Sequence, residues 1–179
     1  MCGLPSRGNR PRSRGDTLKS TAVSDSGPLI AFAVSGQISL LREVFGKILI
    51  PVAVLEELRL DTGLPGGSIL AKIIYQDKWI EVSQFTPVKN VIPDILDPGE
   101  SSAIALALKE KSILIIDEKK GRRVAVSVGL KITGSAGILI AAKRKKIIHK
   151  AYPIIASMES SGYYFSEEIK KRILSLARE

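Results

Sequence analysis

Apolar residues along this chain come in two rhythms, short unbroken runs and longer stretches with a period near 3.6, and the two alternate. The run from Ala22 ends at Asp25, "GKILIP" covers 46–51, "ILIID" covers 113–117 and "KIT" covers 131–133; all four read as strands, with "WIEVS" at 79–83 as an edge strand. Between them lie helical patterns. Pro28 is suited to open a helix over Pro28 to Val34, and "ISLLREVF" places Ile38, Leu41 and Phe45 at helical spacing. Pro51 opens "VAVLEELRL", whose stripe is Val54, Leu55 and Leu58, and after the loop "DTGLPGG" comes a helix through "SILAKIIYQDK". In "LDPGESSAIALALKEKS" Asp97 fits the N-cap and Pro98 the first helical position, ahead of a stripe of Ala103, Ile104, Ala107 and Leu108. Further helices are expected through "GRRVAVSVGL", "GSAGILIAAKRKK", Tyr152 to Ser160 and Ser166 to Leu176. Strand and helix in alternation predict an α/β chain: a three-layer α/β/α fold around a mostly parallel central sheet with right-handed crossovers.

A chain of 179 residues with 45% hydrophobic content suits one domain with a substantial core, here 21–179. The first 20 residues are rich in Arg, Ser, Gly and Pro without periodicity and read as a disordered basic tail or a misassigned start. They lack the apolar h-region of a secretory signal, and no apolar run approaches the ~18 residues of a membrane span, so the expected location is cytoplasmic. Cys2 is the only cysteine and His149 the only histidine, which excludes an internal disulfide framework and a Cys-based zinc site. Acid, base or metal chemistry falls to carboxylates.

Charge divides the chain. Residues 21–108 carry six basic and ten acidic side chains, whereas 109–150 carry twelve basic and three acidic. A cation-attracting cluster beside a polyanion-attracting surface results if the fold brings the two regions together. In a parallel sheet, ligands bind beyond the carboxyl ends of the strands. Asp25 and Asp117 end strands there, Glu100 begins a helix at that edge, and Glu56 and Glu57 lie in the helix that follows "KILIP". Clustered carboxylates raise one another's pKa and persist where a cation neutralises them; oxygen donors without His or Cys select Mg²⁺ or Mn²⁺. Each acid also has a plainer reading. Asp25 can cap the helix after it, Glu100 can form a capping box with Asp97, and Glu56 and Glu57 can be exposed helix residues.

Five stretches, "DSGPLI", "IPVAVLEEL", "LDPGESSAIALA", "IIDEKKGRRVA" and "GLKITGSAGILIAAK", occur in this order over about residues 21 to 148, and in them the chain resembles the PIN-domain nucleases. The resemblance implies a PIN fold and a Mg²⁺- or Mn²⁺-dependent ribonuclease site formed by Asp25, Glu57, Glu100 and Asp117. Glu57 rather than Glu56 fits because the family's Glu directly precedes a Leu, here Leu58. Many such proteins are toxins held inactive by an antitoxin, so the implied partners are RNA or DNA, an antitoxin protein and a second copy of the chain, without a membrane. One motif differs: many PIN toxins read Thr-x-Asp and then an aromatic, where this chain has Ile115-Ile116-Asp117-Glu118.

Arg122 and Arg123, just after Asp117, are expected to contact substrate phosphate or to solvate a helix face. Thr133 and Ser135, around Gly134, are expected to hold a phosphate or metal-bound water at a helix N-terminus, or to cap it. Lys143 to Lys146 read as a helix end complementing its dipole, or as a nucleic-acid track. Phe165, Ile169, Ile173 and Leu176 form a stripe suited to the core or to a dimer or antitoxin contact. A PIN-like module that binds RNA without cutting it is the second reading. A phosphoacceptor domain lacks paired acids after the first strand, and a dinucleotide-binding domain lacks Gly-x-Gly-x-x-Gly there.

Overall fold

The apolar runs become parallel strands of one sheet in a computed structural model that describes residues 21–85 and 95–179; the basic start at 1–20 lies outside the described residues. The strands are β1 (Thr21–Ser24), β2 (Lys47–Pro51), β3 (Ile80–Ser83), β4 (Ile113–Ile115) and β5 (Ile132–Thr133), in the order β3-β2-β1-β4-β5. Every pairing is parallel, and Val23 stands beside Leu49 on one side and Leu114 on the other. Ile48, Ile50, Leu114 and Ile115 are wholly buried, which explains why these strands read as unbroken apolar runs.

Helices α1 (Ser26–Val34) and α2 (Ser39–Phe45) join β1 to β2, and α3 (Val52–Glu57) and α4 (Gly67–Lys72) join β2 to β3. Helix α5 (Pro98–Glu110) leads into β4, α6 (Lys119–Ser127) joins β4 to β5, and α7 (Ser135–Arg144), α8 (Tyr152–Ser160) and α9 (Glu167–Ala177) follow. The chain runs outward from β1 to β3 and then returns past β1 to β4 and β5. Right-handed crossovers therefore place α1, α2 and α4 on one face and α5 and α6 on the other. Helix α5 lies across β1, β2 and β4, while α7 packs on α2 and α9 on α7. The expected three-layer α/β/α architecture is observed.

Several boundaries differ from expectation. Strand β1 ends at Ser24, and α1 begins at Ser26, so Pro28 is the third helical residue and Asp25 stands alone between the two elements. Helix α3 stops at Glu57, because Arg59 takes a left-handed φ of 45°. The long helix expected through "SILAKIIYQDK" is α-helical only to Lys72; Ile73–Asp77 forms a π-helical turn that closes at Lys78, φ 53°. Along α5 the buried set runs unbroken from Ala103 to Ala107, because α5 packs between the sheet and the neighbouring α3 and α6.

Candidate active site

The strand order reverses between β1 and β4, and in parallel sheets the crevice at that reversal is where ligands bind. Asp25 follows β1 and Asp117 follows β4, so the two carboxylates flank it. The backbone N–H of Asp25 donates to the carbonyl of Ile115 at 3.0 Å, which holds the chain in sheet geometry as it leaves β1. Although Asp25 is the N-cap residue of α1, its side chain makes no capping hydrogen bond. It is only 7% exposed, and its Oδ1 has no partner among the described residues. An uncapped, buried carboxylate oxygen is costly to a fold unless something else neutralises it.

Glu57, the last residue of α3, ties two neighbours together. Its Oε2 accepts from Ser26 Oγ and its Oε1 from the Gly99 backbone N–H, each at 2.9 Å. Asp97 caps α5 as expected, accepting the Glu100 N–H at 2.7 Å. The return half of the capping box is absent. Glu100 is 4% exposed, and its Oε1 lacks a partner among the described residues. Glu56 is exposed.

Burial pushes the Asp25 carboxyl up to about 6, and the charges of Glu57 and Asp97 add to the rise while nearby backbone N–H groups of Ser26 and Gly27 oppose it. Burial likewise lifts Glu100 to about 7, reinforced by Asp97, Asp25 and Glu118. Five acids thus share one field: the predicted Asp25, Glu57 and Glu100, with Asp97 and Glu118 added by the structure. Asp97 was legible only as a helix cap, and Glu118 only as a departure from a motif.

Asp117 is held differently. Its Oδ1 accepts the Ser135 N–H at 2.8 Å, and its Oδ2 accepts Ser135 Oγ at 2.6 Å and the Tyr163 hydroxyl at 2.8 Å. Asp117 therefore caps the first residue of α7 from the end of the neighbouring strand, where Gly134 is an N-cap without a side chain. Burial, then the charge of Asp117, raises the Tyr163 phenol above its ordinary range, so it stays a donor. Ser135 is wholly buried and gives both its N–H and its hydroxyl to Asp117, an arrangement closer to the capping role than to the phosphate or water contact among the two expected of it. Arg122 donates from Nη1 to the Ile116 carbonyl at 2.7 Å and lines a cleft with Thr133 beside Asp117, whereas Arg123 is exposed and does not line that cleft. Nothing in the sequence marked Tyr163.

Three glycines back onto three of the acids. A Cβ on Gly99 would collide with the Glu57 carboxylate, and one on Gly134 with Asp117 Oδ1. A Cβ on Gly121 would lie 2.8 Å from Glu100 Oε1 and 2.5 Å from Ile116 Cδ1. Each carboxylate occupies the space that a side chain would take, so glycine at these positions sets where the acid sits.

Among the described residues, no three His, Cys, Asp or Glu side chains already stand together as a ligand set for a metal ion. The donor chemistry nevertheless fits a hard divalent cation. Asp25 and Glu100 each present a buried oxygen with no partner among the described residues, both carboxyls are raised by burial and further by like charges, and all available donors are oxygens.

A family model for DUF3368, described as a PIN domain, matches residues 21–179, and the chain belongs to this family. PIN domains are typically nucleases, and these usually use divalent metals. Among solved structures, a PilT N-terminus domain protein from the hyperthermophilic archaeon Sulfolobus solfataricus P2 is similar, at 15% identity over 82% of this chain and 98% of that one, with a TM-score of 0.43. A comparison with curated proteins returned no match. Among the described residues no helix is long and apolar enough to cross a membrane.

Proposed function

We propose that this chain is a metal-dependent endoribonuclease. The observation that carries the reading is the pair of buried, partnerless carboxylate oxygens on Asp25 and Glu100 at the sheet's switch point. Asp25, Glu57, Glu100 and Asp117 would hold one or two Mg²⁺ or Mn²⁺ ions, which when bound supply an activated water and charge stabilisation for phosphodiester hydrolysis. Glu57 keeps its place through Ser26 and Gly99, and Asp117 through Ser135 and Tyr163. Arg122, fixed against Ile116, presents its remaining donors to a phosphate beside Asp117. The basic side chains of 109–150 attract the RNA backbone with little regard to sequence, so binding weakens as salt rises.

The test is cleavage of a labelled RNA. Cutting in Mg²⁺ or Mn²⁺ that stops with EDTA and resumes on adding excess metal supports the reading; cutting indifferent to EDTA contradicts it. RNA binding without cleavage in either metal selects the alternative, a PIN-like binding module. A toxin role, with an antitoxin partner and a homodimer, belongs to the same reading. It is tested by whether expression of the chain arrests growth and whether the product of a neighbouring reading frame relieves the arrest.

A further inference from the structure

A cleft of about 440 Å³ runs from Asp117 between the start of α6, strand β5, α7 and the C-terminal helix α9. That size falls within the range of small-molecule sites. Its two sides differ in chemistry. Lys119, Arg122 and Arg172 line it with positive charge, and among the described residues none of the three is in an ion pair. Ile140, Ile169 and Leu176 give it an apolar side, and Ile169 and Leu176 remain 42% and 41% exposed although they belong to the stripe that otherwise packs α9. Ile173, buried in the core, forms the floor of the cleft, and Ile169 and Leu176 stand exposed beside it.

We propose that this cleft binds one nucleotide of the RNA strand, next to the bond to be cut. Its base lies on the aliphatic side, and its phosphate meets Lys119, Arg122 and Arg172. Three cations around a partly apolar cavity suit a ligand with an anionic end and a planar apolar end, which describes a nucleotide better than an apolar peptide or a simple anion. Arg122 is oriented in advance by its bond to the Ile116 carbonyl, so little side-chain freedom is lost when it takes a phosphate. Asp117, which accepts three hydrogen bonds, also lines this cleft. The placement next to the cut bond rests on the nuclease reading; binding of the nucleotide does not.

The probe is adenosine 5′-monophosphate, titrated into the full chain in EDTA, with adenosine and ribose 5-phosphate as the halves. Both halves are expected to bind more weakly than the whole. Arg172→Ala, an exposed position where folding is not at stake, is expected to weaken binding about tenfold or more, the worth of one charge-assisted contact. Lys119→Ala should act likewise, and Ile169→Ser should weaken adenosine more than ribose 5-phosphate. In a cleavage assay Arg172→Ala should raise KM with little change in kcat, and the monophosphate should compete with RNA. Binding unaffected by Arg172→Ala and Lys119→Ala overturns the proposal. So does a monophosphate that binds without competing, which marks a site for free nucleotide. Nucleotide binding in the cleft of a chain that never cuts RNA overturns the nuclease reading alone; metal-dependent cutting with a KM unmoved by Arg172→Ala overturns the cleft alone.

Discussion

Residue by residue, the site is set by carboxylates and by the empty space beside them. Gly134 is extended, with φ −137°, so alanine there strains no backbone and its whole effect is steric, against Asp117 and Arg122. Gly134→Ala and Gly99→Ala are each expected to lower cleavage about 10–100-fold, the usual effect of disturbing the partners of metal-ligating side chains. The fold should survive, at an overpacking cost of about 1–3 kcal/mol by denaturant titration. Wild-type cleavage in both variants would show that the acids are not positioned as described. The placement of Asp25, Glu57, Glu100 and Asp117 was legible because each falls at a strand end or helix terminus, where topology fixes the edge it must occupy. The glycines were not, because a missing Cβ matters only through a neighbour distant in sequence: Gly99 lies 42 positions from Glu57. Tyr163 reaches Asp117 over 46 positions and was illegible for the same reason.

Helices and strands hold these residues in register. Helix α7 is capped by Asp117 rather than by its own N-cap residue, so the Ser135–Asp117 contact holds helix, β4 and site together. Ser135→Ala removes one of three donors to that carboxylate at a wholly buried position, and thermal or denaturant unfolding should register a loss of about 1–3 kcal/mol. A loss near zero would mean that Tyr163 and the backbone N–H suffice. The sequence announced nearly every element by period and punctuation, and its errors fall at helix ends. There a β-branched pair, Ile73-Ile74, enters a π turn, and Arg59 leaves α3 through a left-handed conformation that no local composition marks. Lys143 to Lys146 end α7, some fifteen ångströms of helix from Ser135 by the rise of about 1.5 Å per residue. Lys143 is paired with Glu179, and Lys145 donates to the Val44 carbonyl, so these two stabilise the far end of the molecule.

Over the full fold, the sheet order joins two oppositely charged regions. The acidic first half supplies β1, β2 and β3, and the basic segment supplies β4, β5, α6 and α7; they meet between β1 and β4. The ionised acids strain the metal-free fold. Asp25 and Glu100 are raised to about 6 and about 7, so between about pH 4 and 7 these two groups hold more protons in the folded chain than in the unfolded chain, where carboxyls titrate near 4. Stability from these groups is therefore full below about pH 4 and is lost as pH rises to about 7. Each group that keeps its proton only in the folded chain contributes about 1.4 kcal/mol to that loss for every pH unit crossed. In EDTA the melting temperature should fall between pH 5 and pH 8 by roughly 10 °C, and Asp25→Asn should flatten the decline. Mg²⁺ or Mn²⁺ should restore stability at pH 8 far more than at pH 5. A flat pH profile without metal would contradict the coupled acids.

If the acids at the switch point bind the ions that cut RNA, removing one charge from either side of that crevice must stop the cutting. The decisive experiment is cleavage of one labelled RNA in Mn²⁺ by the wild-type chain beside Asp25→Asn and Asp117→Asn, each shown to be folded. Cutting by the wild type is expected, with a loss of about a hundredfold or more in both variants, as when a metal ligand is removed. Cutting that persists in both variants at the wild-type rate would place the chemistry elsewhere and contradict the metal site proposed above.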